Sequence, residues 1–387
     1  MKVVISPDSF KGSMSTMSAA EQIEAGILAV FPTAQTVMIP MADGGEGTAE
    51  TYRMIAGGEM IWHEVKDPGN RDILASYCWI EKERTAVIET AAASGLTLLK
   101  EAERKPDGLS TFGTGQLIRL ALDRGAKRII IGLGGSATID AGLGCLQALG
   151  LQCFDRDGKG LNGGVIELGA IASMDASPLD PRLSQIELII ASDVKNPLLG
   201  SEGAVHIFGP QKGLKPDETD NFERQMSRIA ELVVQESGQD MRTSPGAGAA
   251  GGLGFALQSF FPNLSLMSGF ELIAQLSGLE QQIAAADLVI TGEGKFDGQS
   301  MYGKAPIGIS RLAKQHDVPV VVFTGRFEGT EQSIRQEGVH AVVPIVDKIM
   351  ALDESMDQGE VLLKQAVIRF FETMRLAGHL TARGVKL

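Results

Sequence analysis

Asp287–Lys304 reads DLVITGEGKFDGQSMYGK, a short apolar strand that runs directly into glycines, acids and a lysine. In open α/β folds ligands sit outside the carboxyl ends of the strands, so a junction of this kind is where chemistry is placed. Glycines let the backbone approach an anion closely, carboxylates such as Glu293 and Asp297 suit a divalent cation, and Lys304 suits an anionic group. The same punctuation, an apolar strand followed by Gly and Asp, recurs along the chain. It points to an enzyme that handles a phosphorylated, metal-bound ligand.

Outward from this stretch, Lys2–Ser6, Gln35–Ile39, Asp287–Ile290, Pro319–Phe323 and Ala341–Ile345 read as short buried strands. Helices are expected over Ser15–Val30, near Thr48–Ile55, and at about 304–316, 330–336 and 357–377. Ser15 or Thr16 suits the first cap, and Met17, Ala20, Ile23, Ile27 and Leu28 share one helical face. Strands alternating with helices make a doubly wound parallel sheet of flavodoxin or Rossmann type. The middle of the chain is different. Ile73–Ile80 and Thr85–Glu89 look like an antiparallel pair, Phe112–Asp123 a helix, and Arg128–Gly132 and Ile186–Ala191 strands. Asn221–Ser237 reads as a long amphipathic helix, and Ala247–Leu257 and Ser268–Ser277 complete a mixed α/β region. The simplest architecture has two domains, the first from residues 1–70 and 285–387, with a mixed α/β domain of residues 71–284 inserted. A cleft between two closing domains suits a transferase that must exclude water.

Length and composition agree with this plan. A chain of 387 residues is too long for one typical core. Apolar content of 44% with only 5% aromatics suits a soluble α/β protein. Glycine is in excess, 47 residues or roughly 12% against a typical ~7%, and it is concentrated in loops. The net charge of −13, without any Lys or Arg run, disfavours nucleic acid or an anionic membrane as partner. Three cysteines without metal-ligand spacing fit reduced thiols in a cytoplasmic protein. The chain begins directly with a strand and not with a signal-type segment, and no apolar run approaches the ~18 residues needed to span a bilayer.

Several loops carry candidate chemistry. In Asp8-Ser9-Phe10-Lys11-Gly12-Ser13, Asp8 can ligate a metal or accept a proton, and Lys11 can offset a carboxylate or phosphate; the plain alternative is a helix-entry turn. In Met41–Thr48, Asp43 and Glu46 flank a Gly-Gly pair and suit contacts to substrate hydroxyls or general-base work, or else cap the helix at Thr48. Gly132–Gly144 reads GLGGSATIDAGLG, where successive amides at Gly134, Gly135, Ser136 and Ala137 can form an anion nest at a helix N-terminus. Asp193, in SDVKNP after the strand IELIIA, can be a metal ligand or the base. FGPQKG and GAGAAGGLG add a lysine and another amide-rich helix start. Gly298 to Lys304 matches most of a P-loop, but Ala305 stands where the magnesium-binding Ser or Thr belongs. The five histidines have no metal spacing, and neither a GxSxG elbow nor a dinucleotide fingerprint is present. Acids, amides and lysines remain, the ingredients of phosphoryl transfer.

In order and spacing, DSFKGS, MADGGEGT, GTGQLI, GGSATIDAG, SDVKNPLLG, FGPQKG, GAGAAGGLG and TGEGKFDGQSMYGK resemble the bacterial glycerate kinase family of the type I fold, from Lys2 to the C-terminal helix. The resemblance implies ATP-dependent phosphorylation of D-glycerate to 2-phosphoglycerate with Mg²⁺, on a two-domain fold with the active site in the cleft. One departure is Ile139-Asp140-Ala141, where an Asn-Asp-Gly-like stretch is expected. Under this reading Asp193 is the first choice of base, with Asp43 or Asp297 next and Lys11 as a further catalytic group. Mg²⁺ is held through Asp8, Asp193 or Asp297. Asp8, Ser9, Lys11, Asp43, Glu46 and Lys304 meet the substrate. Gly134, Gly135, Ser136, Thr138, Gly248, Gly251, Gly252 and Glu293 meet the ATP phosphates. Rival readings are phosphorylation of the 3-hydroxyl or of a related acid such as tartronate, a dinucleotide-dependent oxidoreductase, and a non-catalytic sugar-acid sensor. A homo-oligomer is compatible with all of them.

Overall fold

Val3, Val4 and Ile5 are apolar at consecutive positions, which suits a strand covered on both faces rather than one half exposed to water. In the computed structural model, which describes residues 1–41, 47–161, 163, 167–296 and 305–385, all three are fully buried. The strands in chain order are β1 (Lys2–Ile5), β2 (Gln35–Met38), β3 (Glu59–Lys66), β4 (Asp72–Ile80), β5 (Thr85–Glu89), β6 (Arg128–Gly132), β7 (Gln152–Phe154), β8 (Ser173–Asp175), β9 (Glu187–Ala191), β10 (Leu264–Met267), β11 (Leu288–Phe296), β12 (Val320–Phe327) and β13 (Ala341–Pro344). They fall into two compact units, Met1–Asp43 with Gly269–Leu387, and Gly44–Ser268. The joins expected near residues 70 and 285 differ from these. β3 pairs with β4 along its whole length, from Glu59 opposite Trp79 to Lys66 opposite Asp72, and so belongs with the second unit. Its sequence, EMIWHEVK, carries charge at both ends and gives no clear strand signal.

The first unit is a five-stranded sheet of order β13-β12-β11-β1-β2, with every neighbouring pair parallel. The helix Thr16–Val30 starts where expected, because the Ser15 hydroxyl accepts the Ser18 amide at 3.1 Å. It packs closely against the C-terminal helix Gly359–Ala382: a Cβ on Gly26 would lie 2.7 Å from Val367. Ile23, Ile27, Leu363, Val367 and Phe371 form the core on this face. One element is longer than its sequence suggests. β11 does not end at Ile290 but pairs with β12 as far as Phe296 opposite Phe327. Gly292 explains it, since a Cβ there would lie 2.4 Å from the Phe323 carbonyl oxygen. That glycine permits close strand pairing and is not a loop residue.

The second unit is a six-stranded sheet of order β10-β9-β6-β5-β4-β3. β10, β9, β6 and β5 run parallel, and β4 is antiparallel to both β5 and β3, as expected for the β4–β5 pair. Ile129–Ile131 and Leu188–Ile190 fill the centre, a run of branched side chains that suits strands covered on both faces. The helix Phe112–Arg124 buries Leu117, Ile118 and Ala121 in one cluster. The helix Thr219–Ser237 buries Phe222, Met226, Ile229 and Val233 in another, with Phe255. Both units are thus α/β layers, around a parallel sheet in the first and a mixed sheet in the second. Among the described residues no helix is long and apolar enough to cross a membrane.

Candidate active site

In the first unit the candidate loops lie at the carboxyl edge of β1 and β11. The ladder between these strands continues past their ends: Ser6 donates to the Ile290 carbonyl and Asp8 to the Gly292 carbonyl, each at 2.8 Å. The chain then turns through Phe10–Met14, with the Phe10 amide on the Met14 carbonyl and the Ser13 amide on the Phe10 carbonyl. Asp8 is 6% exposed, and its Oδ1 accepts the Ser9 amide at 2.6 Å. Phe10 is buried, and a Cβ on Gly294 would lie 3.4 Å from its Cα. Lys11 is exposed and Ser9 half-buried. DSFKGS and GEGKF, separated by most of the chain, are therefore brought together. Glu293, on β11 opposite Thr324, is 6% exposed. Asp43, Glu46, Asp297 and Lys304 lie outside the described residues.

In the second unit the loops after β6 and β9 and the GAGAAGG turn lock into one another. The segment 94–96 pairs with the turn after β6: Leu96 donates to the Gly135 carbonyl at 2.9 Å and Ala137 donates to the Ser94 carbonyl at 2.8 Å. The expected row of open amides is therefore shortened, because that of Ala137 is already used. The helix expected directly behind those amides begins only at Leu143. Between them Asp140, 5% exposed, accepts the Thr111 amide and hydroxyl at 2.8 and 2.7 Å and the Gly142 and Gly144 amides at 3.1 and 3.2 Å. Burial pushes its carboxyl above the usual carboxylate range, opposed by these four bonds.

Lys212, 2% exposed, donates from Nζ to the Ser136 hydroxyl and the Thr138 carbonyl, both at 2.8 Å. Burial pulls its ammonium down to about 7, against the attraction of Asp140. Behind this loop the Gly251 carbonyl accepts the Ala141 amide at 3.1 Å. At φ +66°, a Cβ on Gly251 would lie 1.9 Å from the Thr138 carbonyl oxygen. Gly252 packs on Ala141 in the same way, and the Gly248 amide donates to the Asn196 carbonyl at 3.0 Å. Of the amides expected to be open along Gly248, Gly251 and Gly252, that of Gly248 is spent, and all three glycines also serve loop-on-loop packing. Asp193, exposed, follows the end of β9, where Ser192 donates to the Met267 carbonyl at 3.0 Å. Asp140, Thr111 and Lys212 had no assigned role from sequence. The signal was present, since Asp140 and Lys212 stand inside GGSATIDAG and FGPQKG.

A parallel and a mixed sheet, with acids, lysines and tightly packed glycine turns in the loops that follow their parallel strands, fit an α/β enzyme of the phosphoryl-transfer class. The chain belongs to the glycerate kinase family, whose model matches residues 3–375. It is 42% identical to a glycerate kinase of Halalkalibacterium halodurans, over 94% of this chain and 96% of that one. It is also 42% identical to a glycerate 2-kinase of Escherichia coli, over 92% and 93% of the two chains. A solved structure from Salmonella typhimurium LT2, described as that of a candidate glycerate kinase 2, superposes with a TM-score of 0.85 at 39% identity, covering 98% of this chain and all of that one.

Proposed function

We propose that this chain transfers the γ-phosphoryl group of ATP to the 2-hydroxyl of D-glycerate, giving 2-phosphoglycerate and ADP. The family match across nearly the whole chain carries this reading. In the step itself the hydroxyl oxygen forms a bond to the γ-phosphorus, the bond to the bridging oxygen breaks, and ADP leaves with that electron pair. Asp193, an exposed acid at the end of β9, takes the hydroxyl proton. Asp43 and Asp297 are the next choices. Ser136 and the amides of Gly134 and Gly135 hold phosphate oxygens, with Thr138 beside them and Gly251 and Gly252 shaping the turn from behind. Asp8, Ser9, Lys11, Glu46 and Lys304 bind the substrate and its charge.

Magnesium fits this donor set. Among the described residues no group of three acids, histidines or cysteines is gathered to cage a metal. A cation carried in on phosphate oxygens, needing only one or two carboxylates, is the usual form for magnesium. Asp8, Asp193 and Asp297 are the acids proposed to hold it. When bound, the ion neutralises charge on the transferring phosphates. The free, buried thiols of Cys78, Cys145 and Cys153 support a reducing cytoplasmic setting. Sedimentation equilibrium would test for the homo-oligomer.

The decisive measurement is ADP release with D-glycerate and with a panel of small hydroxy acids, followed by phosphorus NMR of the product. A phosphate on the secondary carbon couples to one proton, and one on the primary carbon couples to two. Absence of glycerate-dependent ADP release would remove the proposal, and a triplet would move it to the 3-hydroxyl. Asp193→Asn is expected to lower turnover by about 10²- to 10⁴-fold with unchanged thermal unfolding, since the side chain is exposed. Near-normal turnover would pass the base role to another acid.

A further inference from the structure

Lys212 has no part in the mechanism above, yet its position is costly. It ends the turn Pro210–Lys212 and is 2% exposed, and a buried ammonium is normally compensated by a carboxylate in contact. Among the described residues its hydrogen-bond partners are a hydroxyl and a carbonyl, those of Ser136 and Thr138, and neither carries charge. Two of the three ammonium protons are used in this way. A second polar group in the same turn is also unsatisfied. The Thr138 hydroxyl is fully buried and has no hydrogen-bond partner among the described residues. Ser136 completes the pattern. Because its oxygen accepts from Lys212, its own proton is left to donate elsewhere, and the neighbouring cation makes it a stronger donor.

We infer that Lys212 is a positioning residue for the ATP phosphates: it braces the turn Gly134–Thr138 from behind and orients Ser136 so that the hydroxyl proton meets a phosphate oxygen. This rests on the assignment of that turn to the nucleotide. The ammonium stays buried while the phosphate charge lies on the far side of Ser136. The electrostatics agree with the geometry. Burial draws the lysine down to about 7 while Asp140 pulls it up, so a polyanion arriving at Ser136 favours the protonated form and nucleotide binding takes up a proton near neutral pH. Asp140 is the charged group whose field reaches Lys212, and Arg104 packs on the adjacent Gly213 through its backbone carbonyl.

The test compares the wild type with Lys212→Met, Lys212→Arg, Ser136→Ala and the Lys212→Met/Ser136→Ala double variant. Two quantities are read: KM for MgATP, and proton uptake on MgADP binding by calorimetry in two buffers of different protonation heat at about pH 7.5. Lys212→Met and Ser136→Ala should each raise KM for MgATP by about ten- to a hundredfold, the range of one charge-assisted hydrogen bond. The double variant should be no worse than the worse single one. Proton uptake should vanish in Lys212→Met, and Lys212→Arg should keep most of the affinity while losing the uptake. The role of Lys212 is overturned if Ser136→Ala weakens MgATP but Lys212→Met does not, if the two effects multiply, or if uptake persists without the lysine. A different result defeats the nucleotide assignment itself: Ser136→Ala leaves KM for MgATP unchanged and MgADP gives no hydrogen-exchange protection over residues 133–142. If Lys212→Met does not fold, wild-type uptake set against Lys212→Arg still decides, because arginine does not titrate in this range.

Discussion

The loop after β1 and the loop after β6 each follow a strand flanked by parallel neighbours, but they are held by different means. After β1 the backbone does the work. The ladder to β11 runs on to Asp8, the turn closes through main-chain bonds at Phe10–Met14, and the lysine of the motif is exposed. After β6 main-chain bonds continue too, from Leu96 to the Gly135 carbonyl and from Ala137 to the Ser94 carbonyl, but buried charged side chains are added to them. Asp140 gathers the Thr111, Gly142 and Gly144 amides, and Lys212 ties down Ser136 and Thr138. A loop built on main-chain bonds can change its charges without unfolding. A loop pinned by buried charges cannot, and it couples its shape to pH.

The largest effect that separates the two is on stability. Asp140→Ala removes one acceptor from three amides and a hydroxyl and strips Lys212 of its nearby anion. A loss of about 3–5 kcal/mol is expected, typical of breaking a buried polar network. Both tryptophans of the chain, Trp62 and Trp79, lie in the second unit, so denaturant unfolding followed by tryptophan fluorescence reports on it alone. Lys11→Ala, at the exposed position of the other loop, should change calorimetric stability by less than about 0.5 kcal/mol. Comparable losses from the two variants would erase the distinction.

A second effect, smaller per pH unit, concerns pH. Lys212 has a depressed value in the folded chain, about 7 against 10.5 for the ordinary side chain, so between those limits the unfolded state binds more protons. Stability of the second unit should therefore rise as pH increases from about 7 towards 10.5, by at most about 1.4 kcal/mol per pH unit. Asp140 acts at the acid end. Its raised value makes the folded state bind the extra proton, so its contribution falls as pH rises from 3.8 through the folded value. Tryptophan-monitored unfolding of Lys212→Met should lose the alkaline slope and keep the acidic one. An unchanged alkaline slope would show that another group causes it.

Much of this was legible in the sequence, and the misses share a cause. Runs such as VVI, RIII and ELIIA are unambiguous because strands covered on both faces need apolar side chains at every position. Ser15 signalled its helix through a local bond to Ser18. GEGKF was harder. Glycine reads as loop in a sequence, and only the 2.4 Å approach to Phe323 reveals that Gly292 belongs to a strand pair. Gly248, Gly251 and Gly252 read in the sequence as an amide-rich turn, and nothing local in it shows that they are pressed against Asn196, Pro197 and the loop Thr138–Ala141. Asp140 and Lys212 went unassigned because burial by partners distant in sequence leaves no local periodicity. Local chemistry is written along the chain, and close approach between distant segments is not.

The smallest predicted effect tests one of the two positions, 139 and 141, where sequence and resemblance differ. An Asn-Asp-Gly-like stretch was expected at residues 139–141, and the chain has alanine at 141. The structure supplies the reason a glycine would be at home there: Ala141 has φ +53°, in the left-handed region, as does Ala250 at φ +52° across the interlocked turn. A left-handed alanine is strained by roughly 1–2 kcal/mol, which glycine would relieve. Against that, Ala141 is fully buried in an apolar cluster, and deleting its methyl forfeits about 0.8 kcal/mol of burial. Glycine also loses more backbone entropy on folding, by roughly 0.5–1 kcal/mol. These terms nearly cancel, so Ala141→Gly should shift the tryptophan-monitored unfolding free energy by less than about 1 kcal/mol, while Asp140→Ala next to it is severe. A loss above about 2 kcal/mol would mean that the methyl is a packing element of the loop and that the strain is small. The loop after β6 would then be held by apolar contact as much as by its buried charges.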